Sequence, residues 1–391
     1  MGAASVDKPI GVLVVGTGQI GRVHVECARR AGAHVVGLVG SSPERAGVKA
    51  RQWDVPQAYP DLTTALMDAN VDVVHVASPN NVHAEQARAA IDAGKHVICE
   101  KPLTIDSSQA ADLVTRARKA DLVNATCFNF RFYPLMHEAR AMVSRGDIGD
   151  PLFITGSYHQ DWLLRETDWN WRLEPERAGQ LRAVADIGSH WLDLVTWIAQ
   201  REITEVLADL HTFRPTRIRP DGEVETFSGL AATTGTPVTM TSDDAATVAL
   251  HMNGGTRGSF TVSQVSAGRK NDLRFELAGT EGSLMWSSEA SDTLWIGRRG
   301  RTNEILLKDP VHLDPTATNI SFYPGGHVEG YGEAFTSLFA TIYADVARGN
   351  PSPEPLYPTF EDGYRGLLVA DAISISGQDR AWKAVAPTRS R

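Results

Sequence analysis

Asp186 and His190 stand four residues apart, a spacing that sets both side chains on one helical face, and Asp193 falls near that face seven residues on. An imidazole beside a carboxylate can move a proton, with the carboxylate orienting the ring or a neighbouring hydroxyl. Each residue also has a plainer use: Asp186 as a helix cap, His190 as a buried hydrogen-bonded ring, Asp193 as a surface acid. An Asp/His metal site is another possibility, but no fixed set of further ligands accompanies the pair, and no metal is assigned. Farther upstream, Gly16-Thr17-Gly18-Gln19-Ile20-Gly21 is a GxGxxG. Gly16, Gly18 and Gly21 permit a tight turn and close backbone approach, so with Gln19 and Ile20 they can seat a pyrophosphate on a helix N-terminus.

A dinucleotide loop of this kind usually has an acid at the end of the next strand, bonded to the adenosine ribose. Here that stretch reads Val39-Gly40-Ser41-Ser42-Pro43-Glu44-Arg45, and the acid is missing. Ser41 and Ser42 leave room for a 2′-phosphate and Arg45 lies one helical turn on, so the cofactor is NAD or NADP, with a lean to NADP. The alternative is a solvated Arg45 and NAD accepted without the acid. Tyr158-His159-Gln160-Asp161-Trp162 and Asp168-Trp169-Asn170-Trp171-Arg172 set aromatic faces among polar groups. Tyr158, Gln160, Trp162 and Arg172 can form a sugar-binding wall, ring faces stacked and hydroxyls hydrogen-bonded. The tryptophans could equally anchor that loop to the core.

The elements that must position these residues follow from periodicity. Ile10–Val15, Val35–Val39, Val71–Ala77, His96–Cys99 and Val123–Phe128 read as buried strands. Gly21–Arg30, Pro43–Trp53, Val82–Ala93 and a stretch capped by Asp106 or Ser107 and running to Ala120 read as the helices between them. Such alternation implies a parallel sheet covered on both faces. After Phe130 the pattern changes. A helix over Pro134–Arg145 leads to the alternating strand Leu152–His159, then strands at Thr247–Met252, Arg257–Val265, Leu273–Ala278, Ser283–Ser287 and Thr293–Ile296. Late helices span Tyr331–Ala347 and Phe360–Ser376, on either side of the proline-rich Asn350–Pro358. The expected fold is an α/β dinucleotide-binding domain over 6–130 and an α+β domain over 131–391, built on a large, mostly antiparallel open sheet.

Composition narrows the function. A chain of 391 residues with 42% hydrophobic and 22% charged residues is globular, and long enough for two cores. The net charge of −9, with lysines and arginines scattered, argues against a nucleic-acid partner. No apolar run approaches the roughly 18 residues of a membrane span, and Met1–Lys8 lacks the apolar core of a secretory signal. Cys27, Cys99 and Cys127 form no CxxC and suit a reducing cytoplasm as small core residues; His75 and His96 also read as core.

Three further segments carry a family resemblance: Ala77-Ser78-Pro79-Asn80-Asn81-Val82-His83; Ala93-Gly94-Lys95-His96-Val97-Ile98-Cys99-Glu100-Lys101-Pro102-Leu103; and Asp186-Ile187-Gly188-Ser189-His190-Trp191-Leu192-Asp193. With the glycine loop, with Phe128-Asn129-Phe130-Arg131-Phe132-Tyr133-Pro134 and with Phe360-Glu361-Asp362-Gly363, they resemble the glucose–fructose oxidoreductase / inositol dehydrogenase / MocA (Gfo/Idh/MocA) family over nearly the whole chain. The resemblance implies a Rossmann domain and an open sheet whose far face often builds homodimers or homotetramers. It implies that Lys101, followed by a proline often in a cis bond, sits beside the nicotinamide and touches the reacting oxygen, with Glu100 before it also on the cofactor's side. It implies that Ala77, Pro79, Asn80 and His83 line the nicotinamide side. The expected reaction is reversible oxidation of a secondary hydroxyl on a cyclic polyol, sugar or glycoside: Lys101 stabilises the oxygen, His190 is the base, and Asp186 orients His190 or a neighbouring hydroxyl. Other members imply alternatives: a glycosidase or epimerase acting through transient oxidation, or a non-catalytic cofactor-bound regulator.

Overall fold

The computed structural model describes residues 9–222 and 234–388. The Met1–Lys8 segment, and with it residues 6–8 of the expected first domain, lies outside the described residues, as do 389–391. The first half alternates as expected: β1 (Gly11–Val15), α1 (Gln19–Arg30), β2 (His34–Val39), α2 (Pro43–Gln52), β3 (Gln57–Ala58), α3 (Leu62–Leu66), β4 (Val73–Val76), α4 (His83–Asp92), β5 (His96–Cys99), α5 (Ser107–Lys119) and β6 (Asn124–Thr126). The strands form one parallel sheet in the order β3-β2-β1-β4-β5-β6. All of β1 and all of β4 are buried, which is why their sequences are continuous apolar runs rather than alternating ones. Strand order reverses between β1 and β4, so the carboxyl ends of β1, β4 and β5 open on one crevice. Gly16, Ala77 and Glu100-Lys101 each follow one of those strands directly.

The second half begins with α6 (Pro134–Ser144), β7 (Pro151–His159) and α7 (Pro175–Ala178); a π-helical turn (Val184–Gly188) then runs straight into α8 (Ser189–Ala199). Strands follow at β8 (Ile203–His211), β9 (Thr216–Pro220), β10 (Gly235–Thr239), β11 (Ala245–Met252), β12 (Arg257–Ser263), β13 (Asp272–Gly279), β14 (Gly282–Ser287), β15 (Thr293–Arg298) and β16 (Glu304–Leu307). The chain ends with α9 (Pro315–Thr318), α10 (Tyr331–Arg348), α11 (Phe360–Asp379) and β17 (Lys383–Ala384). Nine strands make a sheet in the order β16-β15-β14-β13-β7-β12-β11-β8-β17, while β9 and β10 pair separately. Every pair in the large sheet is antiparallel except β7 with β12 at its centre. That one parallel pair accords with a sheet expected to be mostly antiparallel.

Helix α8 packs on the inner face of this sheet. The Trp191 ring stacks on Phe260 at 4.6 Å, and its Nε1 donates to the Arg274 carbonyl at 2.8 Å. A Cβ on Gly156 would lie 2.3 Å from Trp191 Nε1, so only glycine on β7 admits that indole. The two late helices return to the first sheet. On α10, Phe339 packs beside His24 and His75, and Phe360, Leu367 and Leu368 of α11 join the core beneath β4 and β5. A continuous apolar core containing Val12 of β1 and Val248 of β11 joins the two sheets, so their junction is a fixed place to build a site.

Candidate active site

At the first crevice the glycines act for different reasons. Gly16 has φ +115, and a Cβ there would meet the Ala77 carbonyl oxygen at 2.3 Å. A Cβ on Gly21 would meet the Gly16 oxygen at 2.0 Å, so that glycine lets α1 start against the turn. Gly18 faces open space, and a Cβ there would meet nothing within 4 Å. It is also the N-cap of α1 and offers no side-chain cap, whereas Ser42 caps α2 and Asp106 caps α5. The first-turn amides of α1, from Gln19 and Ile20 onward, therefore face a space able to take an anion, the fit a pyrophosphate requires.

The ribose end is less open than its sequence suggests. Ser41 is exposed, but Ser42 Oγ accepts the Arg45 amide at 3.2 Å, and the Ser42 hydroxyl also supports the Glu44 carboxylate. On the nicotinamide side, Ala77 is buried at the end of β4. Asn80 donates to the Ala178 carbonyl at 3.0 Å, and the two His83 ring nitrogens face the Pro102 and Ser78 carbonyls at 3.0 and 2.9 Å. His83 therefore braces the crevice wall through both ring nitrogens, and Asn80 through its amide nitrogen. The Lys101–Pro102 bond is cis.

Lys101 leads to the second group. Its Nζ donates to the Asp186 carbonyl at 2.6 Å and to Asp186 Oδ1 at 2.9 Å, leaving one of three ammonium hydrogens for another oxygen. Arg172 Nε donates to the same Oδ1 at 3.0 Å, and Gln264 Nε2 to Oδ2 at 2.8 Å. Burial works against the Asp186 charge, but Arg172 and Lys101 outweigh it and hold the carboxyl well below the usual carboxylate range. The carbonyl that Lys101 grips belongs to the π-helical turn, a distortion common at functional positions.

His190 sits one step along, on α8, with the Phe128, Phe130 and Tyr158 rings around it at 5.8, 5.1 and 6.2 Å. Its Nδ1 is sealed in and has no hydrogen-bond partner. Burial, then the Lys101 charge, pushes its pKa well below the ordinary histidine value, so the ring is neutral at pH 7. Asp186 spends its carboxylate on Lys101, Arg172 and Gln264. The expected Asp186–His190 pairing is not among its hydrogen bonds, its oxygens being taken by these three side chains. Asp193 is buried away from this group in a bidentate pair with Arg131, which also reaches Asp362.

The aromatic wall is linked inside itself. Tyr158 Oη and Gln160 Nε2 both donate to Asn271 Oδ1, at 2.5 and 2.9 Å, and Trp162 Nε1 donates to Gln160 Oε1 at 2.8 Å. Trp162 and Trp169 also pack on Leu163, Leu173 and Met240, which gives the loop an apolar anchor of its own. Arg172 stacks over Trp171 at 4.5 Å while it holds Asp186. Sequence reasoning missed Gln264 and Asn271; both are amides at the ends of the loop between β12 and β13, and neither carries a motif.

Beneath Lys101 lies a second set of buried polar groups, of which the sequence singles out His75 as core and Glu100 as a neighbour of the cofactor. Glu100 Oε2 accepts the Lys101 amide at 3.2 Å, and Oε1 lies 3.1 Å from His24 Nε2. His24 Nδ1 meets His75 Nδ1 at 3.0 Å, and His75 Nε2 meets Tyr343 Oη at 2.9 Å. Glu100 thus supports the lysine from behind. Among the described residues, ligand atoms of His24, Glu100 and Cys127 lie within 4.8 Å of one another, close enough in principle for a metal ion. His24 already has hydrogen-bond partners at both ring nitrogens, which accounts for the cluster without one.

The glycine cradle, the anchored lysine and the buried neutral histidine can be set beside known proteins. Residues 10–127 match the oxidoreductase family with an NAD-binding Rossmann fold, and residues 136–285 match the GFO/IDH/MocA C-terminal domain. The chain belongs to the Gfo/Idh/MocA family. It is an NAD-binding oxidoreductase. The levoglucosan dehydrogenase of Pseudarthrobacter phenanthrenivorans is 30% identical over 88% of each chain. The myo-inositol 2-dehydrogenase of Thermotoga maritima is 26% identical over 94% of this chain and 96% of its own. A solved levoglucosan dehydrogenase in complex with NADH and levoglucosan superposes with a TM-score of 0.86, at 26% identity, covering 97% of this chain and all of that one. Among the described residues no helix is long and apolar enough to cross a membrane.

Proposed function

We propose that the chain reversibly oxidises a secondary ring hydroxyl of a cyclic sugar, polyol or glycoside, with residues 6–130 holding the cofactor and 131–391 presenting the substrate. The observation that carries this reading is Lys101: two of its ammonium hydrogens are pinned by Asp186, and the third is left beside a neutral His190 at the crevice edge. The bound nicotinamide supplies the hydride acceptor. Lys101 holds the substrate oxygen and stabilises the charge that grows on it. His190 takes the hydroxyl proton at Nε2, the ring nitrogen not sealed in the core. Asp186 is the orienter of Lys101, and Arg172 extends the cationic edge toward a neighbouring hydroxyl.

The levoglucosan and inositol relatives, both active on ring polyols by name, support a six-membered ring, and the Trp171–Arg172 and Tyr158–Trp162 segments supply aromatic surface for one. We further propose that NADP is accepted, with Ser41 placed for the 2′-phosphate. Exposed apolar residues on the large sheet, among them Phe153, Met285 and Ile305, support a homodimer or homotetramer, and the enzyme is proposed to work in the cytoplasm. The test is nicotinamide reduction followed by absorbance across a panel of anhydrosugars, pyranoses and inositols, with Gly18→Val as control. Its added side chain meets nothing in the fold but fills the cradle, so it should abolish dinucleotide binding and leave the protein folded. Reduction with no ring polyol, or a Gly18→Val variant that binds the dinucleotide normally, would overturn the proposal.

A further inference from the structure

Behind Asp186 a buried polar chain continues away from the crevice. Gln264, fully buried, donates its Nε2 to Asp186 Oδ2 at 2.8 Å and accepts Arg182 Nη1 at its Oε1, 3.3 Å away. Arg182 Nη2 donates in turn to Asp244 Oδ1, and Arg217 Nη2 reaches the same oxygen at 2.8 Å. Arg182, Arg217 and Asp244 are all at most 2% exposed. Arg217 Nη1 and Nη2 also donate to main chain: Nη2 to the Leu163 carbonyl at 2.8 Å, and Nη1 to the Arg165 and Asp168 carbonyls at 2.9 and 3.4 Å. Next to Asp244, Asp243 accepts the Arg182 and Val184 amides at 2.6 and 2.9 Å, and so fixes the entry to the π-turn that carries Asp186.

A buried carboxylate between two guanidiniums is a costly arrangement that apolar packing could often replace. This one links the site carboxylate to the 163–168 loop, which leads into Trp169–Arg172. We infer that Gln264 is a positioning residue for the reaction and that, through Arg182, Asp244 and Arg217, it ties the orientation of Asp186 to that of the substrate loop. The inference rests on the role proposed above for Asp186. In mechanism, the Gln264 amide fixes Oδ2, so that Oδ1 stays between Lys101 and Arg172. Losing the amide lets the carboxylate rotate and loosens Lys101, which shows in turnover and not in dinucleotide affinity.

The test is a double-mutant cycle on turnover with the best ring polyol, alongside dinucleotide affinity and melting temperature. Gln264→Met, close in volume, should lower kcat about tenfold, the worth of a hydrogen bond to a charged group, and leave dinucleotide affinity unchanged. Placed on Asp186→Asn, the same substitution should cost under about twofold, because its effect passes through the carboxylate. Gln264→Glu keeps an acceptor for Arg182 but replaces the donor to Asp186 with a like charge; it should lose at least as much turnover as the methionine and covers the case in which Gln264→Met does not fold. Arg217→Lys, remote from the crevice, should raise the substrate KM about threefold or more. Wild-type turnover in folded Gln264 variants, an undiminished loss on the Asp186→Asn background, or an unchanged KM in Arg217→Lys would overturn the inference. Wild-type turnover in Asp186→Asn alone would instead strike the role proposed for Asp186.

Discussion

Lys101 is held between two buried polar chains of opposite character. Below it, Glu100, His24, His75 and Tyr343 are joined end to end, and with Glu100 ionised one assignment of protons satisfies every link. Tyr343 donates to His75 Nε2, His75 Nδ1–H to His24 Nδ1, and His24 Nε2–H to Glu100. Burial would raise the Glu100 carboxyl, but His24 first, by hydrogen bond and electrostatics, and then Lys101 outweigh it and hold it below its ordinary value. Burial, helped by His24, keeps His75 neutral. Beside Lys101, Asp186 lies between Lys101 and Arg172, and beyond the neutral Gln264 the charges of Arg182, Asp244 and Arg217 alternate. Beyond Glu100 the lower chain ends in uncharged groups, His75 and Tyr343, and such hydrogen bonds are individually modest and survive the loss of a terminal member. A buried ionic chain fails at any missing member, because a charge is left without its counter-charge. The cofactor side should therefore tolerate trimming, and the substrate side should not.

The sharpest way to break this contrast is Asp244→Ala, which strips the counter-charge from Arg182 and Arg217. It should destabilise the protein by about 3–5 kcal/mol in chemical denaturation; a cost near that of a surface change would erase the distinction. Lys101→Ala should come next. Removing the donor that faces growing oxygen charge should cut kcat about 10²–10³-fold, read under saturating substrate. Smaller is the change at the ribose end, where Ser41 stands exposed and Gly40 is crowded, a Cβ there lying 3.1 Å from the Ala46 amide. Ser41→Asp should move the NADP/NAD ratio of kcat/KM toward NAD by about tenfold, or 1.4 kcal/mol. A wild type that already prefers NAD tenfold would contradict the proposed NADP acceptance. Smallest is Tyr343→Phe, which removes the uncharged end of the lower chain and leaves the buried His75 Nε2 without its donor; it should cost about 1 kcal/mol of stability, with turnover within twofold.

Much of this arrangement was legible in the sequence wherever a constraint was local. The glycine loop declared itself because Gly16 and Gly21 answer steric demands within one turn, and the strands β1 and β4 because burial on both faces leaves a continuous apolar run. Lys101, Asp186 and His190 stood out by motif and spacing, and the structure brings them together. What the sequence concealed is long-range. The spacing of Asp186 and His190 suggested a paired face, but the carboxylate is taken by Lys101, Arg172 and Gln264, partners that the fold and not the helix brings to it. Gln264 and Asn271 are unremarkable amides until the sheet sets them opposite Asp186 and Tyr158. Strand β8 alternates plainly over Ile203–His211, yet it lay between segments read without strands, and the parallel pairing of β7 with β12 depends on a connection nearly a hundred residues long. His75 read as core and is buried, but it is also a link in the chain behind Glu100.

The account turns on His190 as the base, and the pH dependence of kcat for oxidation in wild type and His190→Ala tests that most directly. The folded pKa of His190 lies below the ordinary value of about 6.5, so the neutral, proton-accepting ring is already dominant at neutral pH. On acidification the wild-type rate should hold through pH 6.5 and fall only below it, as the ring gains its proton. His190→Ala should lose about 10²–10⁴-fold in turnover, keep its dinucleotide affinity, and show no such acid limb. A variant that retains the limb, or loses less than tenfold, would place the base elsewhere and contradict the mechanism.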